Sequence, residues 1–208
     1  MIEFELKFAV DSMPDLSALP QVAEKNQIDI YYDTADYTML RRGIFIRVRD
    51  NKKLEWKGWG DKDHLFCREL TFPLDKISEK SDAIAELAAA AGIAGTTGET
   101  FSDIDDFIKK CNLQVIAPIK KHRHEYKCGD DMTVALDDAD DIGIFLEVEK
   151  MIPNESLSVA DSATQRDLMT AGLRAHGINP GNEVRIGYVE LYLQKHNPAA
   201  YELGLFKD

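Results

Sequence analysis

This chain is short of the residues that cross-link a fold, span a bilayer or attract polyanions. Its three cysteines, Cys67, Cys111 and Cys128, are odd in number and scattered, which matches neither a disulfide framework nor a Cys-x-x-Cys metal or redox pair. They read as ordinary reduced thiols. No run approaches the ~20 apolar residues needed to cross a membrane, and the chain opens on charged strand residues instead of a basic segment and an apolar one. A cytoplasmic protein with no membrane partner is the expectation. Basic residues are in deficit, with 25 Lys and Arg against 37 Asp and Glu, a formal net charge of −12. Such a surface opposes nucleic acid and anionic lipid, so any anionic ligand must find local positive charge. The 208 residues, 44% of them hydrophobic, suffice for a sizeable core and read as a single domain over 1–208.

What is present begins with the strand Glu3-Phe4-Glu5-Leu6-Lys7-Phe8. Strand alternation puts Glu3, Glu5 and Lys7 on one side and Ile2, Phe4, Leu6 and Phe8 on the other. The polar face carries only full charges, and the same arrangement recurs. Ile28 to Asp33 sets Asp29, Tyr31 and Asp33 against Ile28, Ile30 and Tyr32; Ile44 to Asp50 sets Phe45, Arg47 and Arg49 against Ile44, Ile46 and Val48. Between them a short helical turn through Leu40 and Arg41 is closed by Gly43. Asn51-Lys52-Lys53 turns into Leu54 to Lys57, where Glu55 and Lys57 share a face, and Trp56 points to the side a helix would cover. After a polar loop over Gly58 to Asp63, His64 to Phe72 is a strand bearing Glu69.

Helices are expected over Asp15 to Lys25, over the Ala-rich Ser81 to Ala91 stopped by Gly92, from Ser102 or Asp103 to Lys110, and over Ser162 to His176. The glycines from Gly92 to Gly98 are not followed by the Gly-Lys-Ser/Thr of a phosphate loop and read as a cap and connector. Leu113 to Lys127 is extended, with Pro118 marking an edge or bulge and Arg123 in its charged half. His122 and His124 share a face and could chelate a metal, but they flank Arg123 and so point away from its side. Met132 to Asp137 and Ile144 to Met151 form a hairpin, whose second strand carries Phe145, Glu147 and Glu149 on one face. The acidic turn between them resembles a calcium loop from Asp138, yet Ile142 occupies a ligand position and strands flank it where helices are required. The segment from Gly187 to Phe206 is helix or strand with a final packed turn.

The charged faces are Glu3, Glu5, Lys7, Arg47, Arg49, Glu55, Lys57, Glu69, Arg123, Asp137, Glu147 and Glu149. Apolar faces packed inward would give a small sandwich with a charged exterior. Apolar faces turned outward against helices would give a closed sheet around a charged cavity. Charges buried in such a cavity must be paired or must bind something.

Glu3-x-Glu5-x-Lys7, Tyr31-Tyr32-Asp33-Thr34, Leu40-Arg41-Arg42-Gly43, Arg47-x-Arg49, Lys57, Arg68-Glu69, Asp137 and Glu147-x-Glu149 together resemble the CYTH family of triphosphate tunnel metalloenzymes. The ending Tyr192-Leu193-Gln194 with Asn197-Pro198 and Tyr201 resembles its thiamine-triphosphatase branch. The resemblance implies an α+β fold, an eight-stranded antiparallel β-barrel open at its ends as a tunnel, with a charged interior and helices outside. It implies a hydrolase that directs water in line at a terminal phosphate of inorganic or thiamine triphosphate. Adenylate cyclases of the same family, which form cyclic AMP from ATP, and a non-catalytic polyphosphate-binding module are the alternatives.

The residue roles follow from the same likeness. Lys7, Arg47, Arg49, Lys57 and Arg123 would cradle the phosphates, the arginines by bidentate forks. Mg2+ or Mn2+ would sit on hard carboxylate oxygens, first on Glu3, Glu5 and Glu149, while Glu69, Asp137 and Glu147 would hold a second ion or orient the attacking water. Lys7 and Tyr31 would together tune proton transfer, and Tyr188 stands where the related branch has a tunnel lysine. Phe45 would lie near a thiamine ring or plug the barrel. Removing Arg47 or Arg49 is expected to weaken binding and turnover without unfolding the chain. The protein is expected to be a monomer or homodimer acting on a small-molecule triphosphate.

Overall fold

The computed structural model describes residues 2–59, 66–152 and 159–207. Its strands are β1 (Ile2–Val10), β2 (Gln21–Asp33), β3 (Ile44–Arg49), β4 (Lys53–Trp59), β5 (Phe66–Pro73), β6 (Gln114–Cys128), β7 (Met132–Ala139), β8 (Gly143–Ile152) and the short β9 (Asn182–Val184). They form an antiparallel sheet in the order β5-β4-β3-β2-β6-β7-β8-β1-β9. β1 also returns to β5, with Glu3 opposite Cys67 and Phe4 opposite Phe66, which brings the two ends of an eight-strand run together as a barrel-like sheet. β9 then takes over the free edge of β1, pairing Lys7 with Val184 and Ala9 with Asn182.

The apolar faces turn outward, as a closed sheet around a charged interior requires. On one side Phe4, Leu6, Phe8, Val134, Leu136, Leu146 and Val148 bury against Met169 and Leu173 of α3 (Val159–Ala175). On the other, Ile46, Val48, Leu54 and Trp56 bury against Ile84, Ala85 and Ala88 of α1 (Ser81–Ala90) and Phe107 of α2 (Ile104–Lys110). Trp56 is thus core beneath a helix. α2 is started by Asp103, whose side chain accepts the Asp106 N–H, satisfying one of the donors that a helix start leaves orphaned.

The helix expected over Asp15 to Lys25 does not form. Leu16 to Leu19 makes a single turn, and from Gln21 the chain is strand, paired with β6 to Asp33. Pro20 lies inside the expected helix, where it removes a hydrogen bond and clashes with the preceding turn, while Leu16 and Leu19 lie in the α3-side core. No helix is thereby built from this segment, and Val22 and Ile28 on β2 stay exposed.

Other expectations hold. Gly43, at φ 65°, closes the turn Leu40–Arg42, and a Cβ there would come within 2.3 Å of Phe206 in the docked C-terminal segment. The β2–β6 register shifts at Tyr31/Tyr32, and β7 pairs with β6 only from Lys121 onward, so Pro118 sits where its missing N–H has no ladder partner to lose. The acidic turn is a plain β7–β8 hairpin between Ala139 and Gly143. The start of the strand expected from His64, and most of the loop before it, lie outside the described residues, as does the side chain of Cys67; Cys111 and Cys128 are free and buried. Among the described residues no helix is long and apolar enough to cross a membrane.

The interior is not a tunnel open along its whole length. At one end the inward residues are apolar, Tyr31, Phe45, Ala117, Ile119, Ala139 and Phe145, and they cluster with Ile186, Tyr188, Val189 and Leu193 of the segment leading into α4 (Tyr188–His196). α5 (Pro198–Tyr201), with Pro198 in its first turn and Asn197 capping it, and Phe206 complete this plug. Phe45 is therefore part of the plug, 6.5 Å from the Phe206 ring.

Candidate active site

Beyond the plug the inward faces enclose a cavity of about 270 Å³. Seven basic side chains line it, Lys7, Lys25, Arg47, Arg49, Lys57, Lys121 and Arg123, with Glu5, Glu69, Glu125, Glu147, Glu149 and Glu190. Local positive charge is thus concentrated inside a chain whose net charge is −12. Of the charged-face residues read from sequence, all but Glu3, Glu55 and Asp137 line this cavity; the side chain of Glu3 lies outside the described residues, and Glu55 and Asp137 are buried beside Arg47 and Arg123.

Two ion-pair lattices hold the bases in place. In the first, Arg47 donates from Nε to Glu55 at 2.7 Å, from Nη1 to the Tyr31 hydroxyl at 3.0 Å, and from Nη2 to Glu69 at 3.3 Å. Arg49 forks onto both oxygens of Asp29 at 2.7 and 2.9 Å. Lys57 stands 3.6 Å from Glu69. Burial opposes the charge on Asp29, yet Arg47 and Arg49 outweigh it and hold this carboxyl well below the usual range. Glu69 is likewise depressed, against its own burial, by Lys57 and Arg47.

In the second lattice, Arg123 forks onto Asp137 with both contacts at 2.6 Å and also binds Glu147. Lys121 donates to Asp137 at 3.0 Å and the Tyr188 hydroxyl donates to it at 2.7 Å. Asp137 is therefore engaged by four donors from three residues, three of them on Oδ2 and one on Oδ1, so in this arrangement it serves the neighbouring bases. It is the anchor that orients Arg123. Lys7 reaches Glu147 at 3.3 Å and Glu5 at 3.7 Å. Burial works against the Lys7 ammonium, but Glu147 and Glu5 outweigh it and raise its pKa. Burial together with the neighbouring Arg123 pushes Lys121 down to about 8.

The expected pairing of Lys7 with Tyr31 is not made. Tyr31 serves Arg47, while the ammonium groups of Lys7 and Lys121 each lie 4.4 Å from the centroid of the Tyr188 ring. Tyr188 thus gathers two cations by cation–π contact where a lysine would have supplied one charge. Burial raises the hydroxyl pKa of both tyrosines, so both stay protonated at neutral pH.

The acids that could take a divalent ion sort themselves by their partners. Glu5 and Glu149 face each other directly across β1 and β8, and Glu147 follows on the same face opposite Lys7. Directly opposed strand residues have Cβ atoms about 5 Å apart, where like charges repel; Lys7 at 3.7 Å from Glu5 and Arg123 at 3.6 Å from Glu149 offset part of this repulsion. Glu5 and Glu149 have side chains 16% and 26% accessible, against 5% for Glu147, so they keep access to water. Hard carboxylate oxygens in this setting fit Mg2+ or Mn2+. Glu69 lies apart from this group, on β5 among Arg47 and Lys57.

Sequence reading missed Lys121, Lys25, Gln27 and Glu125, although each is in phase with Arg123 or Asp29 on its strand and the signal was available. It also missed Glu190, whose carboxylate accepts the Gly187 N–H at 2.8 Å at the start of α4. The other Glu190 oxygen has no hydrogen-bond partner among the described residues, and burial pushes the group up to about 7.

Two outcomes follow. Arg47→Ala takes the 2.7 Å partner from buried Glu55 and leaves Asp29 to Arg49 alone, so it is expected to destabilise the fold by about 3–5 kcal/mol, where the sequence alone leads to the expectation of an unchanged fold; denaturant titration measures this, and an unchanged midpoint would contradict it. Glu190 titrates at about 7 in the fold against an ordinary 4.5. Between these values the native state holds a proton that the unfolded chain has released, so this group's contribution to stability falls as pH rises through the window and levels off above it. Glu190→Gln should therefore gain stability over the wild type across that window, by at most about 3 kcal/mol, and parallel pH–stability curves would refute the assignment.

The architecture and the cavity agree with what the chain is similar to. The CYTH domain profile matches residues 1–171. A putative adenylate cyclase of Methanocaldococcus jannaschii is 26% identical over 197 residues, 92% of this chain and 98% of that protein. Among solved structures, a protein of Pyrococcus horikoshii superposes with a TM-score of 0.59 at 19% identity, covering 93% of this chain and 99% of that one. A putative adenylate cyclase of Vibrio parahaemolyticus gives 0.58 at 20% identity over 92% and 97%. A putative adenylyl cyclase of Hippeastrum, described as having a dominant triphosphatase activity, gives 0.51 at 15% identity over 97% and 94%. The outward apolar faces, the inward charges and the match over 1–171 lead to one assignment: the chain belongs to the CYTH domain family.

Proposed function

We propose that this protein is a divalent-metal-dependent triphosphatase that cleaves a terminal phosphate from a short linear triphosphate. The observation that carries the reading is the convergence of seven basic side chains on one cavity beside the opposed pair Glu5 and Glu149. A triphosphate needs neutralisation along its length, and Arg47, Arg49, Lys57, Lys121, Arg123 and Lys7 supply it from strands on all sides. The ion-pair lattices fix these groups before ligand arrives, so little reorganisation remains to be made at the reacting phosphate. Glu5 and Glu149, with Glu147 and Glu3 on the same strands, would hold Mg2+ or Mn2+, which when bound screens the phosphate oxygens and polarises the phosphorus they surround.

For this chain's own groups, Arg47 and Arg49 present donors to the oxygens that gain charge as the phosphoryl group departs. Arg123 and Lys121 hold the opposite flank, backed by Asp137 and Tyr188. Glu69 is depressed and ionised, and its role is to orient water by accepting a hydrogen bond. Little proton abstraction is required when the transition state is loose.

The cavity volume, about 270 Å³, lies under the roughly 300–1,000 Å³ of sites that enclose drug-sized ligands. It suits the polyphosphate itself and leaves any esterified group at the mouth. Inorganic triphosphate is accordingly the favoured substrate, with thiamine triphosphate next; the replacement of a tunnel lysine by Tyr188 removes a specific resemblance to the thiamine branch. The names of the related proteins favour a second reading, an adenylate cyclase using the same cradle.

Incubating the protein with inorganic triphosphate, thiamine triphosphate or ATP in magnesium, and measuring phosphate and cyclic AMP, separates these. Phosphate release from inorganic triphosphate without cyclic AMP is expected, and Glu149→Gln should abolish it while leaving the fold intact. Cyclic AMP from ATP with inert inorganic triphosphate would establish the cyclase; binding without turnover of any substrate would make the chain a polyphosphate-binding module.

A further inference from the structure

The side chains of β2 and β6 alternate between cavity and exterior, and on the exterior a polar stretch lies between the exposed Val22 and Ile28. Lys25 and Arg123 face inward as a register pair, while their neighbours Glu24, Asn26, His122 and His124 face out, with Glu24 opposite His124 and Asn26 opposite His122. The Nε2 of His122 lies 3.1 Å from one oxygen of Glu24, and the Nδ1 of His124 lies 3.7 Å from the other. Ligand atoms of all three residues lie within 4.8 Å of one another.

With the Asn26 oxygen toward His122 and that ring neutral, one acceptor of this cluster is left without a proton. His122 Nδ1 is 2.8 Å from the Asn26 amide oxygen, and its Nε2 faces the Glu24 carboxylate. A neutral imidazole carries a single N–H and can serve only one of these two acceptors. His124 Nδ1 lies 3.3 Å from the amide nitrogen of Gln21, a contact in which Nδ1 is the acceptor and so carries the lone pair. If the His122 proton is on Nδ1, donated to Asn26, then two imidazole lone pairs and a carboxylate are directed into one space.

From this arrangement we infer that His122, His124 and Glu24 form a second metal site, on the outer face of the barrel, that takes a transition-metal ion of the Zn2+ class. Imidazole nitrogens favour Zn2+, Cu2+ and Ni2+ over Mg2+, which prefers all-oxygen surroundings. A tetrahedral zinc with ligands at about 2.0–2.1 Å has ligand atoms roughly 3.3 Å apart; the ligand atoms here lie within 4.8 Å of one another, with His122 at 3.1 Å from one Glu24 oxygen and His124 at 3.7 Å from the other, so small side-chain rotations would bring them onto one ion. Asn26 holds the His122 ring as outer-shell partners of zinc-bound histidines do. The ion would replace the Gln21 contact at His124, with water in the fourth position. Because its ligands come from both strands, it clips β2 to β6 behind Lys25 and Arg123. This site is separate from the cavity carboxylates and does not depend on the function proposed above.

Zn2+ titrated by calorimetry into chelator-treated full-length protein, with magnesium in excess to occupy hard-oxygen sites, tests it. One equivalent is expected to bind and to raise the melting temperature. In the double variant His122→Gln, His124→Gln the affinity should fall by at least about tenfold and the thermal shift should vanish, whereas Glu149→Gln should bind Zn2+ as the wild type does. Co2+ added in place of Zn2+ should give a visible tetrahedral absorption band in the wild type and lose it in the double variant. Both histidines are partly exposed and outside the apolar clusters, so the variant should fold; its unaltered circular dichroism is the check, and should it fail, Glu24→Gln is read by the same Co2+ band. Equal Zn2+ binding by wild type and double variant, or none by the wild type, would overturn the site and leave a proton on His122 as the cation that balances Glu24.

Discussion

No charge inside this sheet can stand without a partner, and the molecule is arranged around that constraint. Asp29, Arg47, Glu55, Lys121, Arg123, Asp137 and Glu147 are all buried, and isolated charges in such a place would neutralise or unfold the chain. Each is instead held by a fork or a short contact from a neighbouring strand. Removing a single partner is costly, whereas the complete lattice is tolerated. The cavity bases are consequently preset in position and in charge before any ligand enters.

The same constraint orders the rest of the fold. With the charged faces inward, the apolar faces require outside cover, which α1 and α2 supply over β3 and β4 and α3 over β1, β7 and β8. The C-terminal segment fills one end of the interior with apolar groups and sends Tyr188 in to serve Asp137, Lys7 and Lys121 together. On the outer face of β2 and β6, between the exposed Val22 and Ile28, Glu24 and the two histidines collect.

Much of this could be read in the sequence because strand alternation is a local signal. Glu5, Lys7, Arg47, Arg49, Lys57, Glu147 and Glu149 fall on cavity faces through their spacing alone. The same spacing puts Asp29 on the charged face of β2 and Lys121 in phase with Arg123 on β6, although only the structure shows that they partner Arg49 and Asp137. What could not be read was whatever depends on contacts distant in the chain. Glu190 enters the site from α4, the contacts of Tyr188 with Asp137, Lys7 and Lys121 join distant parts of the chain, and Asp137 looks like one more cavity acid until its four donors are seen. The expected helix over Asp15 to Lys25 is broken by a local feature, the proline at position 20. The β1–β5 return also rests on a pairing between residues far apart in sequence.

A net charge of −12 sets the most direct demand on the functional account. Free triphosphate approaching this surface is repelled over a Debye length of ~30 Å at 0.01 M salt, whereas its metal chelate carries two fewer negative charges. Initial rates of phosphate release, measured over a grid of magnesium and inorganic triphosphate concentrations at two ionic strengths, test whether cradle and carboxylates act together. The account predicts rates that follow the concentration of the chelate, with excess uncomplexed triphosphate inhibiting. Rates that follow total triphosphate irrespective of magnesium would contradict it, since Glu5 and Glu149 would then have no ion to hold.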